Sequence, residues 1–231
     1  MKKALVISGT STIGMELIKQ MQQDYEDIIV TGRNQKKLEA LQQQFPQIQT
    51  IPLDVTQNPR LVLEENENLW KDLDFVLLCA GAGEINPSLE PEIEEHVIQV
   101  NVNGCGAILR YFVRLFWKKD KGHIAVITSL AGMMPNGDAA GYGASKAFLS
   151  HYIAAIRMQL KKEKSHVTLT DIRPGLVDTP MAKGEKLFWV APVEKAAKQI
   201  YAQLRRKKER IIVTKRWKVL YIICRILPLD H

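Results

Sequence analysis

Residues 3–14, KALVISGTSTIG, decide how the rest of the chain is read. Lys3–Ser8 is a nearly continuous apolar run of strand length, as expected for a strand covered on both faces. It ends at Gly9. Ile13, Leu17, Ile18 and Met21 then follow at helical spacing. The opening MKKALVISG has the basic start of a targeting segment, but its apolar run stops within a few residues. It reads as a first strand.

The alternation continues. Residues 27–31 predict a second strand, and Leu38, Leu41 and Phe45 mark a helix. Ile48–Pro52 predicts a third strand, 57–70 a polar helical stretch, and 74–79 a fourth strand. A long helix runs from about Pro91 to about Lys118. Strands at 123–128, 167–172 and 210–214 are separated by the helix carrying Tyr142 and by a helix at 193–206. Strands alternating with helices predict a doubly wound α/β domain. The expected form is a seven-stranded, mostly parallel sheet with helices on both faces, a three-layer Rossmann-type fold. No repeat or linker divides it. Residues 1–214 read as one dinucleotide-binding and catalytic domain, and 215–231 as a basic, apolar helical tail.

In such sheets ligands bind beyond the carboxyl ends of the strands. Gly9, Arg33, Asp54, Cys79–Gly81, Ser129 and Pro174–Gly175 each follow a strand. The turn Gly9-Thr10-Ser11-Thr12-Ile13-Gly14 opens a helix, whose free N–H groups and partial positive charge suit a pyrophosphate. Arg33 stands where an acid would accept from an adenosine ribose. Arginine there suits a 2′-phosphate, which points to NADP(H) over NAD(H); the alternative is a solvated charge at a helix start. Asp54 suits an adenine amino group or, alternatively, a turn or helix cap.

Tyr142-Gly-Ala-Ser-Lys146 carries the chemistry, with Ser129 upstream. Tyrosine is a poor acid at neutral pH. A lysine one helical turn later shares its face, and its charge favours phenolate. The pair then forms a proton relay, and Ser129 would hold a carbonyl or alcohol oxygen beside it. A bare Tyr-xxx-Lys pattern is uninformative by itself; the surrounding motifs give it meaning.

Those motifs occur in order: the glycine turn at 8–14, Leu53-Asp54-Val55, Cys79-Ala80-Gly81, Asn101-Val-Asn-Gly104, Ile127-Thr-Ser129, Tyr142-xxx-Lys146, and Arg173-Pro-Gly175 with Thr179. Together they resemble the short-chain dehydrogenase/reductase family in its compact form, over about residues 3–214. The resemblance implies an oxidoreductase moving hydride between a nicotinamide and a carbonyl/alcohol pair. Tyr142 would be the acid/base, Lys146 its activator and ribose ligand, and Ser129 the substrate clamp. Asn101 would sit at a helix kink beside a water relay. It also implies cofactor contacts from Gly9, Thr10, Ser11, Thr12, Ile13, Gly14, Arg33, Asn34, Asp54, Val55, Ala80, Gly81, Tyr142, Lys146, Pro174, Gly175, Val177 and Thr179. The sequence departs from the family twice. The glycine turn is one residue short, with Thr12 near the missing glycine, and Cys79 replaces a usual asparagine.

With 231 residues, 46% apolar and 25% charged, the chain suits one well-buried core. Cys79, Cys105 and Cys224 show no metal spacing and predict a reducing compartment, hence the cytoplasm. The formal charge of +7 is local: Arg205–Arg225 holds nine basic residues and one acid, Glu209. Without aromatic-basic interleaving or a helix-turn-helix pattern, nucleic acid is not expected as a partner. The expected partners are a small apolar carbonyl or alcohol and further copies of the chain, as a dimer or tetramer. Leu187, Phe188, Trp189 and Val190 would line an apolar pocket or lid, or else merely cover the sheet edge. The tail Arg216–Leu227 is too short to span a bilayer. It would pack on the domain or a second subunit, or lie in an anionic membrane surface as part of a peripheral contact through 205–227. A non-catalytic dinucleotide-binding sensor or scaffold is the competing function.

Overall fold

A computed structural model describes residues 2–182 and 188–226, apart from the Arg225 side chain. Leu187 and the end of the predicted tail, 227–231, lie outside the described residues. Seven strands form one sheet in the order β3-β2-β1-β4-β5-β6-β7. They are β1 Lys3–Ile7, β2 Asp27–Gly32, β3 Gln49–Pro52, β4 Phe75–Leu78, β5 His123–Ile127, β6 Thr168–Pro174 and β7 Arg210–Val213. Each neighbouring pair is parallel.

Period-two alternation explains the two cores. In β5, Ile124 and Val126 face one layer while Ala125 and Ile127 face the other. The first layer is closed by α3 Pro59–Glu65, α4 Glu67–Trp70, α6 Cys105–Lys119 and α7 Ala140–Lys162. The second is closed by α1 Thr12–Met21, α2 Gln35–Gln44 and α8 Val193–Leu204. On α6, Ile108, Leu109, Phe112, Val113 and Phe116 are buried at helical spacing. Each such side chain contributes on the order of 1.5–3 kcal/mol.

Helix α5, Pro91–Ile98, and α6 are joined by a π-turn, Gln99–Gly104. The predicted helix over 57–70 is broken between α3 and α4. Asn66 interrupts it, donating from its amide to the Val62 carbonyl at 2.9 Å. The last helix, α9 Lys215–Ile226, folds back along β7. Its inward side presents Trp217, Leu220 and Tyr221 to Leu130, Ile212 and Leu176. The Tyr221 ring lies 5.9 Å from the Arg173 guanidinium and 5.7 Å from that of Arg210.

Two polar groups inside the sheet are paired. Asp171, fully buried, accepts from Arg173 Nε at 2.7 Å and from Thr128 Oγ1 at 2.5 Å. His123 Nε2 lies 2.8 Å from Thr170 Oγ1, which donates to the Lys208 carbonyl. The threonine proton is therefore committed, and the neutral imidazole must donate from Nε2. Burial, helped by the Lys207 charge, pushes this imidazole down to about 4.

In the unfolded chain His123 titrates near ~6.5. Above that pH neither state is protonated, and full stability is present. As pH falls toward 4, only the unfolded chain takes the proton, so stability is lost. The loss through this group reaches about 3 kcal/mol. The His123 ring-proton resonances should therefore stay at their neutral position at pH 5. A His123 midpoint near 6 would contradict the burial argument.

Candidate active site

The parallel order brings the carboxyl ends of all the strands to one edge of the sheet. β1 lies between β2 and β4, so the chain's direction of winding reverses beside it. A crevice opens at such a reversal. The predicted site residues of 9–14, 33–34, 54–55, 80–81, 129 and 174–179 all fall along that edge.

Ser11 caps α1, its hydroxyl accepting from Gly14 N at 3.2 Å. Thr12 and Ile13 open the helix, where N–H groups have no intrahelical acceptor. A Cβ on Gly9 would fall 2.7 Å from Val30 Cγ1, and one on Gly14 would fall 2.7 Å from the Gly9 carbonyl. Both glycines are needed for the turn to close on the sheet and on the helix start. The shortened turn thus still presents free N–H groups beyond β1, and the residues present fit a pyrophosphate. Thr10 is partly exposed and borders Gly32 at the end of β2.

Arg33 is exposed, and its charge reaches Asp54. Asn34 caps α2, its Oδ1 accepting from Lys37 N at 3.0 Å. Asp54 Oδ1 accepts from Thr56 N at 2.9 Å and from Thr56 Oγ1 at 2.8 Å. Burial pushes the Asp54 carboxyl up, but the Thr56 bonds and the Arg33 charge hold it below the usual carboxylate range. Asn34 and Asp54 thus also serve their own turns. Val55 is buried in the core.

Lys146 is 2% exposed, and its Nζ sits 5.8 Å from the Tyr142 ring centroid. It donates to the Ile127 carbonyl at 3.4 Å. A Cβ on Gly81 would lie 3.0 Å from Lys146 Nζ, which places Ala80–Gly81 against the ammonium. Tyr142 is half-buried. Its ring lies on the backbone of Gly83, where a Cβ would approach Cδ2 to 2.6 Å. Any larger residue at 83 would displace the ring, a constraint that the repeated Ala-Gly of 80–83 signals in the sequence.

Asn101 is fully buried in the π-turn. Its Oδ1 accepts from Ala82 N at 2.9 Å, and its Nδ2 donates to Ala82 O at 2.7 Å and to Ser145 Oγ at 2.8 Å. Ser145 then donates to the Tyr142 carbonyl at 2.8 Å. Both amide hydrogens of Asn101 are spent on fixing the Ala82 peptide and the start of α7. Ser145 was not among the residues expected from sequence. Ser129 lies two residues beyond β5 and caps the following turn, its hydroxyl accepting from Ala131 N at 3.1 Å and keeping its proton for another acceptor. The 3-10 turn that follows, Leu130–Met133, packs on α7.

Cys79 is buried behind β4, and burial pushes its thiol well above the ordinary range. Cys105 is pushed up to about 11 by burial, with the Lys146 charge pulling it back. Both are thiols suited to packing rather than reaction.

At the far side, Pro174 is buried at the end of β6, and Val177 bridges Ala191. Thr179 is partly exposed, and its carbonyl accepts from Ala182 N at 2.9 Å. Gly175 is overlaid by the Trp217 indole, so closely that a Cβ could not be accommodated. Trp217 also meets Phe188 and Trp189, at ring-centroid distances of 5.3 and 5.7 Å. Of the expected apolar segment, Phe188 and Trp189 thus pack on α9 while remaining about half exposed. Among the described residues no group of histidines, cysteines and acids could hold a metal.

Comparison with known proteins bears on the family and the fold. Residues 2–188 match the family model of short chain dehydrogenases. An uncharacterized oxidoreductase of Staphylococcus epidermidis is 31% identical over 190 residues, covering 79% of this chain and 81% of its own. The NADP-dependent 3-hydroxy acid dehydrogenase of Salmonella typhi is 30% identical over 182 residues, covering 75% of this chain and 71% of its own. Among solved structures, a short chain dehydrogenase from Burkholderia cenocepacia in complex with NADP superposes with a TM-score of 0.82. It is 21% identical, with 100% of this chain and 95% of that one covered. Serine dehydrogenase from Escherichia coli is 28% identical, with a TM-score of 0.67 over 75% of this chain and 82% of its own. With its sheet order, its Tyr142–Lys146 pair and this match over most of its length, the chain belongs to the short-chain dehydrogenase family of oxidoreductases.

Proposed function

We propose that the protein interconverts an apolar carbonyl and its alcohol with NADP(H), using Tyr142 as proton donor and acceptor. The observation that carries this reading is the buried Lys146 ammonium, held beside the half-exposed Tyr142 ring. A lysine is rarely buried without a task, because removing its charge from water is costly. Here the ammonium stands beside the ring whose hydroxyl would pass the proton to the substrate oxygen.

The bound nicotinamide would supply or accept the hydride. Residues 9–14 would hold its pyrophosphate, and Lys146 its nicotinamide ribose. Pro174, Gly175, Val177 and Thr179 would border the ring. Ser129 would donate to the substrate oxygen and hold it within reach of Tyr142. Asn101 and Ser145 would fix the start of α7, so that Tyr142 and Lys146 keep their relative position. Met133, Leu176, Phe188, Trp189 and Trp217 form an apolar surround beside Gly175, which supports an apolar substrate.

NADP(H) is favoured by the exposed Arg33 at the end of β2 and by the NADP-dependent Salmonella relative. A charge-assisted, paired hydrogen bond is worth about 1.5–3 kcal/mol. Arg33→Asp should therefore weaken NADPH binding roughly 10- to 100-fold and change NADH binding little. Titration of the purified protein, followed by the fluorescence of the bound nicotinamide, measures both. Equal losses would remove Arg33 from the 2′-phosphate, and failure of the unaltered protein to bind either nucleotide would overturn the enzymatic reading.

A further inference from the structure

Helix α9 is apolar on two opposite sides. Trp217, Leu220, Tyr221 and Cys224 recur at helical spacing and face the domain. Val219, Ile222, Ile223 and Ile226 recur at the same spacing on the other side, and are 58, 54, 43 and 71% exposed. No described element covers them. Branched aliphatic side chains in a contiguous exposed row indicate an interaction surface. Next to the first turn of α9, Phe188, Trp189 and Val190 add further exposed apolar area.

The charges around this row select the occupant. Lys215, Arg216 and Lys218 are exposed along the helix, which contains no acid. α9 runs back toward the amino end of β7, where the Arg210 guanidinium donates to Tyr221 Oη at 2.6 Å. Arg206, Lys207 and Lys208 precede that end of β7 and are also exposed. A second copy docked about a twofold axis would set these cationic flanks against each other, with no carboxylate on either helix to offset them. An anionic lipid surface complements them. At 12 residues the helix is too short to cross a bilayer, and no described helix is long and apolar enough to do so.

We infer that α9 seats the protein on anionic lipid, with Val219, Ile222, Ile223 and Ile226 in the interfacial layer and the flanking lysines and arginines among the headgroups. Its inward side stays docked on β7, so the helix needs no rearrangement to bind. This inference does not depend on the proposed turnover, because its test reads binding alone.

The test is co-sedimentation of the full chain with vesicles of phosphatidylcholine containing phosphatidylserine, against vesicles of pure phosphatidylcholine. The expected partition is roughly tenfold or more in favour of the anionic vesicles, falling steeply as salt is raised. The double variant Ile222→Glu, Ile226→Glu should lose at least about tenfold in partition while its nucleotide binding and elution volume remain those of the unaltered protein. Equal partition on both vesicles would overturn the inference, as would an unaffected double variant. So would a double variant that converts a dimer into a monomer, since a second copy would then cover the row. Should the double variant not fold, the salt dependence of the unaltered protein still decides: salt-insensitive partition sinks the idea.

Discussion

Tyr142→Phe is expected to lower turnover about 10²- to 10⁴-fold and leave NADPH affinity nearly unchanged. The substitution removes one oxygen and keeps the ring. That ring rests on the Gly83 backbone and faces the Lys146 ammonium, so phenylalanine fills the same space. The hydrogen bonds that fix the local backbone run through Asn101, Ser145 and the Tyr142 carbonyl, none of which the change touches. What disappears is the hydroxyl proposed to supply the proton to the substrate oxygen. Steady-state rates with an apolar ketone, together with a nucleotide titration, separate the two effects. Residual activity within tenfold of the unaltered protein would exclude Tyr142 as the proton donor, whatever happens to binding.

Lys146→Met should abolish activity to a similar degree, about 10²- to 10³-fold, yet leave the fold as stable or more so. The lysine is almost fully buried, and its hydrogen bond to Ile127 O is long at 3.4 Å. A methionine has nearly the same length and needs no solvation, so replacing the charge removes a desolvation cost. The two readouts should move in opposite directions: melting temperature level or higher, turnover collapsed, and NADPH bound less tightly through loss of the proposed ribose contact. A variant that melts well below the unaltered protein would show that Lys146 stabilises the core, and its catalytic assignment would then need other support.

The alternation of strands and helices was legible because it depends on short-range patterning. Buried parallel strands such as Phe75–Leu78, and His123–Ile127 after its first residue, are apolar throughout, and their ends differ from expectation by only a residue or two. The end-of-strand positions were legible for the same reason, since parallel order collects them at one edge. Other features have no local signature. Nothing in Trp217 itself indicates that it covers Gly175, more than forty positions earlier. Nothing in Ser145 marks it as the link between Asn101 and Tyr142, because that role arises only when α7 and the π-turn meet. The buried Asp171–Arg173 pair is hidden only in part. On sequence Arg173 reads as part of the Arg-Pro-Gly motif; alternation along β6 sets it on the same face as Asp171, and only the fold adds the distant Met133. The divided helix over 59–70 was missed because Asn66 is an ordinary surface residue until its amide takes the Val62 carbonyl.

The π-turn at Gln99–Gly104 holds one residue more than a regular helical turn. Deleting a residue there would leave a smooth helix from Pro91 to Lys119 and restore ordinary bonding. It would also advance the phase of everything before the deletion by about 100° relative to everything after it. Asn101 would swing off Ala82 and Ser145, or the apolar side of α6 would swing off the sheet. The surplus residue is therefore a phase shifter. It lets one continuous rod aim a buried amide in one direction and its hydrophobic stripe in another, which no straight helix of this sequence could do.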